Sequence, residues 1–434
     1  MKAEVLTIGD ELLRGEIVDS NKSFLSDALL ALDVETCFHS SVRDDPADMT
    51  DAFLRAASRA RIVLVSGGLG PTRDDLTAEV LGQTFGRKLV LDPAALEAIR
   101  GFFRALGRDM TENNAKQAYF PEGAEILPNP IGTAPGFLLE EGGALFFCMP
   151  GVPRELMRMM DDQVLPRIAR RLGPAKGSLR AALLRTFGTG ESALDAELAD
   201  VAREGALSLG FRTAFPDNYV RPVARAESAA EAERLLAETC RTIRERLGAI
   251  VYGEGDETLE AVVGRLLRER GRTLAVAESC TGGLVAQKLT DVPGSSAYFL
   301  GGVVAYSDAS KRALLGVPAE LLAAHGAVSD EVARAMAEGA RARFGADLAV
   351  ATTGIAGPGG GSAGKPVGLV HLALADGART HADHFVFPLD RARHRVLSAQ
   401  VALDWVRRSL LSLELVGPSL LRRTGGGNAP GRST

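Results

Sequence analysis

The order of apolar segments in residues 1–68 constrains the fold of this chain more than any other feature. Val5–Ile8, Val34–Phe38 and Arg61–Val65 have the apolar, partly β-branched composition of short buried strands. The two segments between them carry apolar residues at helical spacing, from Phe24 to Leu32 and from Met49 to Ala57. This β-α-β-α-β order predicts an open sheet of parallel strands with helices on its faces.

The same alternation returns in the C-terminal part of the chain. Thr273–Ala277 is typical of a buried strand, and Gly283–Leu289 of the start of a helix. A shorter α+β stretch lies between the two regions. We therefore predict an α/β protein with two parallel-sheet α/β domains, residues 1–171 and 255–415, joined by a small α+β domain, residues 172–254. The composition of residues 416–434 predicts a disordered tail.

Charge and composition narrow the class of protein. The chain has 50 Lys and Arg against 55 Asp and Glu, which gives a formal net charge of −5 and does not favour direct contact with nucleic acid or an anionic membrane. The N-terminus lacks the features of a signal peptide, and no apolar run is long enough to span a membrane. The four cysteines lie far apart, which indicates reduced thiols. We expect a cytoplasmic protein.

An acidic pair follows each of the first three predicted strands: Asp10-Glu11, Asp44-Asp45 and Asp74-Asp75. The carboxyl ends of parallel strands meet at one edge of the sheet, where open α/β sheets bind ligands. Carboxylates at this edge could hold a hard divalent cation that bridges phosphate oxygens. We predict a metal–phosphate site with Asp10, Asp45 and Asp75 as metal ligands. The alternative is that each pair caps the helix that follows it.

Several further groups fit the same edge. The loop of residues 66–72 is rich in glycine, and such a loop lets backbone N–H groups approach phosphates. Residues 113–117 offer amide and ammonium donors, and residues 132–136 form a second tight loop. The expected substrate-binding residues of this site are Gly67, Gly68, Asn113, Lys116, Gly132 and Thr133.

Residues 277–283 read Ala-Glu-Ser-Cys-Thr-Gly-Gly and lie on the predicted strand-to-helix turn of the C-terminal domain. Hydroxyl groups and the free N–H groups of a helix start would meet there, which suits an anion or an oxyanion. The alternative is that the glycines only permit a tight turn. The candidate ligand-binding residues are Thr281, Gly282 and Gly283, together with Gly354 in a second glycine loop. Cys280 has no histidine partner nearby, so we expect no chemistry from it.

Serines and one lysine accompany this motif, while no histidine lies close to it in the sequence. A serine–lysine pair performs acyl transfer when the lysine is neutral. Burial, a cationic neighbour such as Arg312 or a helix N-terminus would lower the pKa of Lys311. The alternative places Ser307 at a helix cap and Lys311 on the surface.

We expect structural and not chemical roles for the histidines near the C-terminus. His381 and His384 are three residues apart, but their segment reads as extended, so we expect no helical metal pair. His394 is assigned to a helix surface, and Trp405 to the apolar face of the last helix.

The sequence resembles the competence/damage-inducible protein CinA family over its full length except the tail. The motifs that carry this resemblance are Ile8–Gly15, Ser66–Asp75, Asn129–Phe137, Ala277–Gly283, Gly354–Pro358 and Lys365–Gly368. The resemblance implies a molybdopterin-binding-type fold for the first domain and a KH-type fold for the connecting domain. It also implies a homodimer.

The resemblance further implies a bifunctional enzyme that recycles pyridine nucleotides. The C-terminal domain would hydrolyse nicotinamide mononucleotide to nicotinic acid mononucleotide and ammonia without a cofactor. The N-terminal domain would be an ADP-ribose pyrophosphatase that forms AMP and ribose 5-phosphate with a divalent metal ion, Co²⁺ or Mg²⁺. Direct nucleic-acid binding is not expected, because residues 187–191 are not a basic Gly-x-x-Gly loop. The alternatives are a non-catalytic adaptor in competence or DNA recombination, and a molybdopterin-binding protein.

Mapped by motif, the resemblance makes Ser296 the nucleophile and Lys311 its base. Ser279, Tyr306 and Thr353 would position or polarise the carboxamide, and Arg391 would bind the phosphate. Residues 301–306 read as a strand, however, and a strand extends by about 3.3 Å per residue. Either a bend in this segment brings Ser296 to Lys311, or Ser279 is the nucleophile.

Overall fold

The computed structural model describes residues 2–30, 32–173, 178–377 and 379–418. Of the predicted tail, residues 416–434, the part from residue 419 onward lies outside the described residues. The chain forms two compact units, one from Met1–Arg180 and Ala224–Arg234, the other from Ala181–Val223 and Leu235–Thr434. The boundary between the units passes through the stretch that the sequence assigns to a connecting domain.

The first unit alternates strands and helices as the sequence predicts. Its strands are β1 (Lys2–Ile8), β2 (Glu35–Val42), β3 (Ile62–Ser66), β4 (Leu89–Leu91), β5 (Tyr119–Pro121), β6 (Glu125–Leu127), β7 (Gly136–Glu141) and β8 (Ala144–Met149). Its helices are α1 (Asp10–Leu13), α2 (Ser20–Leu30), α3 (Pro46–Arg59), α4 (Thr77–Thr84), α5 (Pro93–Ala105), α6 (Pro153–Met159) and α7 (Leu165–Leu172). A 3₁₀-helix covers Glu112–Ala118, and a π-helical turn covers Met160–Val164.

A six-stranded sheet forms the centre of this unit, in the order β2-β1-β3-β8-β7-β6. β1, β2, β3 and β8 run parallel, while β7 and β6 add two antiparallel strands at one side. Apolar clusters cover both faces, with Phe53 and Phe146 in one and Leu25 and Phe147 in the other. Burial on both faces explains why the strands read as continuous apolar runs.

Strands β9 (Ser178–Ala181) and β12 (Asp217–Ala226) and helix α9 (Ala229–Leu247) cross the boundary between the units. The second unit contains β10 (Leu184–Thr186), α8 (Glu191–Leu198), β11 (Leu207–Ala214) and β13 (Val251–Glu254), and β10 pairs antiparallel with both β12 and β13.

The remaining strands are β14 (Leu274–Glu278), β15 (Phe299–Val304), β16 (Leu348–Gly354), β17 (Leu369–Asp376) and β18 (Arg379–Val386). The helices are α10 (Leu259–Glu269), α11 (Leu284–Thr290), α12 (Asp308–Leu315), α13 (Ala319–His325), α14 (Asp330–Phe344) and α15 (Arg391–Leu410).

The sheet of this region has the order β15-β14-β16-β17-β18. β14 is parallel to β15 and β16, whereas β17 and β18 are antiparallel, so the predicted parallel sheet is a mixed one. Ala277 and Ala351 face the cluster that contains α14, and Val276 and Val350 face the cluster of α10 and α15. The α/β class predicted from the sequence is confirmed.

Two assignments on α15 have different outcomes. Trp405 is fully buried on the apolar face of this helix, as expected. The assignment of His394 to a helix surface is wrong, because its ring is buried against Phe387 and its Nε2 lies 3.2 Å from the carbonyl oxygen of Gly368. Within the described residues, no helix combines the length and apolar composition needed to cross a membrane.

Candidate functional sites

A cavity of about 410 Å³ opens at the carboxyl ends of β1 and β3. Its wall includes the carboxylates of Glu11, Asp44, Asp74 and Asp75. Burial raises the pKa of Asp44. The hydrogen bond that the backbone N–H of Asp10 donates to Asp44 at 3.0 Å lowers this pKa. The negative charges of neighbouring carboxylates, including the side chain of Asp10, raise it further. The cavity therefore gathers negative charge that a cation would relieve.

The three aspartates chosen as metal ligands from the sequence have partners within the chain. Asp10 pairs with Arg14. Asp45 caps α3 by accepting from two backbone N–H groups at 3.0 and 3.1 Å, as the capping alternative requires. Asp75 accepts from the N–H of Thr72 at 2.8 Å. Of these three carboxylates, Asp75 alone lines the cavity.

The other member of each acidic pair, Glu11, Asp44 or Asp74, lines the cavity. Asp10 and Asp45 are therefore not placed to bind a metal ion in it. In the described part of the chain, the carboxylates of this edge do not bring three ligand atoms within 4.8 Å of one another. Ligand oxygens from a bound substrate would have to complete any metal shell here.

Gly67 and Gly68 line the same cavity, and both positions require glycine. A Cβ on Gly67 would lie 2.3 Å from the carbonyl oxygen of Ile8, and one on Gly68 would lie 2.2 Å from Oγ1 of Thr77. Their φ angles, +110° and +66°, also favour glycine. The loop thus passes close to β1 and to the start of α4, which brings its backbone to the cavity.

The other predicted substrate-binding residues surround this loop. Lys116 Nζ donates to the carbonyl of Thr72 at 2.8 Å, and Asn113 Nδ2 reaches another carbonyl of the loop at 3.4 Å. Thr133 lines the cavity, and it lines an adjacent one of about 460 Å³ together with Gly132. Lys116 and Asn113 therefore brace the loop.

Ser279 and Lys311 meet at the edge of the second unit's sheet where β14 and β15 end. Lys311 Nζ donates to Ser279 Oγ at 3.2 Å and to the carbonyl of Ala305 at 2.9 Å. Lys311 is 1% exposed, and this burial lowers its pKa, while the nearby carboxylate of Asp308 acts in the opposite direction. A buried amine beside a hydroxyl is the arrangement of a serine nucleophile with a lysine base.

The structure does not bring Ser296 to Lys311. Ser296 is exposed in the 3₁₀-helix Ser295–Ala297, which precedes β15, whereas Lys311 follows the other end of that strand. β15 pairs with β14 from Phe299 to Val304, with one register shift at its start, so its two ends lie at opposite edges of the sheet. The structure thus brings Ser279, the alternative that the sequence left open, and not Ser296 to the amine of Lys311.

A side chain of the Ala-Glu-Ser-Cys-Thr-Gly-Gly motif itself binds the free N–H groups at the start of α11. The carboxylate of Glu278 accepts from the N–H groups of Gly283, Val285 and Ala286 at 2.9, 3.1 and 2.8 Å. Glu278 is 1% exposed. These N–H groups are therefore engaged, and the expected anion site at Gly283 is occupied by this side chain.

The rest of the motif is held from two sides. Oγ1 of Thr281 lies 2.7 Å from Oγ1 of Thr352, and the carbonyl of Thr281 accepts from Nε and Nη2 of Arg395 at 3.1 and 2.9 Å. A Cβ on Gly282 would lie 3.3 Å from the same guanidinium. Cys280 is buried, which raises its pKa to about 12 and leaves it unreactive.

Thr353 and Gly354 end β16 beside the motif. The buried Thr353 hydroxyl donates to the carbonyl of Ala327 at 2.8 Å. A Cβ on Gly354 would lie 2.6 Å from the carbonyl oxygen of Leu369 and 3.1 Å from Sγ of Cys280. Only glycine fits there, so Gly354 sets how closely β17 approaches the motif.

Arg391 and Tyr306 form an accessible pair at the same edge. Nη2 of Arg391 donates to the hydroxyl of Tyr306 at 2.8 Å, and Nη1 donates to the carbonyl of Gly357 at 2.9 Å. Tyr306 is 60% exposed and directly follows Ala305, whose carbonyl binds Lys311. A guanidinium and a phenol near the serine–lysine pair suit a phosphate group.

Sequence reasoning missed three contributors to this site. Glu278 belongs to the motif, and its position just before a helix was the signal for a capping carboxylate. Arg395, one turn after Arg391, had no distinguishing signal. The carbonyl of Ala305 carries no signal at all, because its role depends on where β15 ends.

Three families match consecutive parts of the chain. Residues 4–170 match "Probable molybdopterin binding domain", residues 182–253 match "Damage-inducible protein CinA KH domain", and residues 256–410 match "CinA C-terminal domain". The fold and the matches together define an α/β protein with a molybdopterin-binding-type domain, a KH domain and a CinA C-terminal domain.

Full-length relatives give the particular family. A CinA-like protein from Geobacter sulfurreducens is 46% identical over 414 residues, which are 95% of this chain and 100% of that protein. A putative competence-damage inducible protein from Symbiobacterium thermophilum is 46% identical over 422 residues, 95% of this chain and 99% of that protein. The chain belongs to the CinA family, and the resemblance inferred from its motifs is confirmed.

A solved structure is similar to part of the chain. The competence/damage inducible protein CihA from Agrobacterium tumefaciens is 42% identical and covers 35% of this chain and 93% of that one, with a TM-score of 0.34.

Proposed function

We propose that this protein is a bifunctional enzyme of pyridine-nucleotide recycling. Its C-terminal domain hydrolyses nicotinamide mononucleotide to nicotinic acid mononucleotide and ammonia. Its N-terminal domain hydrolyses ADP-ribose to AMP and ribose 5-phosphate with a divalent metal ion. The observation that carries the first activity is the buried amine of Lys311, 3.2 Å from the hydroxyl of Ser279.

Ser279 acts as the nucleophile in this proposal, in place of Ser296. Neutral Lys311 accepts the Oγ proton as Oγ attacks the carboxamide carbon, and then gives a proton to the departing nitrogen, which leaves as ammonia. The ester on Ser279 is cleaved by water, whose proton passes to Lys311 and then to Oγ. The products are a carboxylic acid and regenerated enzyme, and no cofactor takes part.

The surrounding residues position the substrate. Arg391 and Tyr306 bind the phosphate of the nucleotide, because both are accessible and Arg391 donates to Tyr306, which directly follows the carbonyl that binds Lys311. Thr353 acts as a positioning residue, since its hydroxyl is already used by Ala327. Thr281, Gly282 and Gly354 shape the turn in which Ser279 lies.

Two serine variants test the choice of nucleophile. Ser279→Ala removes the attacking oxygen, and ammonia release from nicotinamide mononucleotide should fall by at least about 10³-fold. Ser296→Ala is the matched control and should retain activity within about twofold, because Ser296 lies at the opposite end of β15. The reverse pattern would restore Ser296 as the nucleophile, and no ammonia release by the wild-type enzyme would refute the amidohydrolase.

The proposal for the N-terminal domain rests on the acidic cavity. Carboxylates from Glu11, Asp44, Asp74 and Asp75 would hold Mg²⁺ or Co²⁺ together with phosphate oxygens of the substrate, because these residues line one cavity and the pKa of Asp44 is raised there. The ion would neutralise phosphate charge. The backbone of Gly67 and Gly68 approaches the phosphates, and Lys116 keeps the loop in place.

Adjacent aspartates provide a matched pair for this site. Asp44→Asn should lower metal-dependent ADP-ribose hydrolysis by about 10–100-fold, because it removes a carboxylate from the cavity. Asp45→Asn should change it little, because asparagine also caps α3. A chelator should abolish this activity and leave ammonia release intact. Equal losses in both variants would exclude Asp44 as a ligand.

Competing functions are separated by binding measurements. Molybdopterin that binds the full chain more tightly than ADP-ribose with metal would favour a molybdopterin-binding protein. Salt-sensitive binding to DNA, without either hydrolytic activity, would favour an adaptor in competence or recombination. We further propose that the enzyme is a cytoplasmic homodimer. Light scattering of the purified chain measures the molar mass and so tests the oligomeric state.

A further inference from the structure

Two imidazoles and a carboxylate meet in the second unit, outside the serine–lysine pair. Asp330 begins α14, while His371 and His384 lie directly opposite each other on β17 and β18. Nδ1 of His371 is 2.6 Å from Oδ1 of Asp330, and Nδ1 of His384 is 3.6 Å from Oδ2 of the same carboxylate. Each residue can contribute one ligand atom such that all three atoms lie within 4.8 Å of one another.

A hydrogen bond between Asp330 and His371 accounts for only part of this arrangement. The contact between His384 and Asp330 is longer than a well-formed hydrogen bond. The rings of His384 and His371 nevertheless have centroids only 5.0 Å apart, and both face the carboxylate of Asp330. His371 is 8% exposed, which fixes its ring, whereas His384 is exposed and leaves the group open to solvent. The three side chains therefore combine a rigid inner ligand with an accessible outer one.

We propose that Asp330, His371 and His384 bind a divalent transition metal ion such as Zn²⁺, Co²⁺ or Fe²⁺. Two imidazoles with one carboxylate suit these ions, whereas Mg²⁺ and Ca²⁺ prefer oxygen ligands alone. Bonds of about 2.1 Å place ligand atoms roughly 3.0–3.4 Å apart, a spacing that small side-chain rotations reach from the observed distances. Three protein ligands leave at least one coordination position for water or another small ligand.

One nearby cation opposes metal binding. Lys365 lies close enough to lower the pKa of His371, although burial is the largest cause of that shift. Its Nζ donates to the carbonyl of His325, at the end of α13, which holds the ammonium to that carbonyl. The carboxylate of Asp330, shared by the two imidazoles, supplies the compensating negative charge.

Equilibrium dialysis of the full chain against Zn²⁺ and Co²⁺ tests the site. His384→Ala removes the exposed ligand and should lower the bound metal by one ion per chain, or weaken its affinity by at least about 10–100-fold. His381→Ala is the control, because His381 is an exposed histidine of the same strand that packs against Trp405. It should bind as the wild type does. Any metal that the carboxylates of the first unit bind is present equally in the wild type, His384→Ala and His381→Ala, so it does not affect the difference between them.

Two further readouts make the result decisive. Bound Co²⁺ should show visible absorption typical of imidazole ligands in the wild type and in His381→Ala, but not in His384→Ala. Zn²⁺ should raise the melting temperature of the same two proteins. The proposal is wrong if the stoichiometry, the Co²⁺ spectrum and the thermal shift are the same in His384→Ala as in the wild type. Asp330→Asn should reproduce the loss, which makes the conclusion independent of one variant.

Discussion

The acidic cavity of the first unit and the serine–lysine pair of the second unit handle charge in opposite ways. The cavity gathers carboxylates at the ends of β1 and β3, and their mutual repulsion helps to raise the pKa of Asp44. At the pair, burial acts on a single cation, and it lowers the pKa of Lys311. The first site gathers negative charge that a cation would offset, whereas burial at the second shifts the amine of Lys311 toward its neutral form.

This difference matches the two chemistries that we propose for the same kind of sheet edge. Hydrolysis of a pyrophosphate requires that negative charge be neutralised, and a site of carboxylates can do so only through a metal ion. Hydrolysis of an amide requires a base and a nucleophile, and a neutral lysine beside a serine supplies both. Three predictions test whether the two sites are as independent as this comparison requires.

The largest effect is expected for Lys311→Met, which keeps the length of the side chain and removes the base. Ammonia release from nicotinamide mononucleotide should fall by at least about 10³-fold, while ADP-ribose hydrolysis by the same protein stays within about twofold. Lys288→Met, at a lysine paired with Glu260 on the same domain, is the control and should retain both activities. Loss of both activities in Lys311→Met would break the comparison.

A smaller effect is expected for Arg391→Ala. Loss of a charge-assisted contact to phosphate should raise KM for nicotinamide mononucleotide by about 10–100-fold with little change in kcat. The preference for the nucleotide over nicotinamide riboside, which lacks the phosphate, should fall by the same factor. Arg393→Ala, at an exposed arginine two residues further on, should leave both quantities unchanged. An unchanged preference in Arg391→Ala would place the phosphate elsewhere.

The smallest effect concerns pH and separates the sites within one protein. In the proposed mechanism Lys311 is a neutral base, so kcat/KM for ammonia release should rise about tenfold per pH unit and level off above its pKa, which lies below the usual 10.5. Asp44 is proposed to bind the metal ion in its ionised form, so ADP-ribose hydrolysis should rise through a raised carboxylate pKa, at a much lower pH. Superimposable profiles would contradict the assignment of different titrating groups to the two reactions.

Sequence patterns predicted the fold well because strands buried on both faces read as apolar runs. They also pointed to the two sheet edges that carry the candidate sites, since the acidic pairs and the Ala-Glu-Ser-Cys-Thr-Gly-Gly motif come at the ends of strands. They could not choose between adjacent carboxylates such as Asp44 and Asp45. Those two side chains differ only in whether the backbone turns them toward α3 or toward the cavity.

Choosing between Ser279 and Ser296 depended on sheet register. Ser296 is nearer to Lys311 in the sequence, but β15 lies between them. Ser279 is further away in the sequence, and the parallel pairing of β14 with β15 ends both strands at the same edge. The expected strand at residues 301–306 was the one signal available before the structure. The cluster of Asp330, His371 and His384 gave none, because its members come from three separate elements.

Burial of Lys311 has a consequence for folding as well as for catalysis. A lysine whose pKa is lowered in the folded protein binds protons more weakly there than in the unfolded chain, so folding of the domain becomes less favourable as pH falls from 10.5 toward the lowered pKa. Below the lowered pKa the full cost remains. The buried lysine thus weakens the domain that holds it. An inactive Lys311→Met protein should therefore unfold at a higher temperature than the active enzyme.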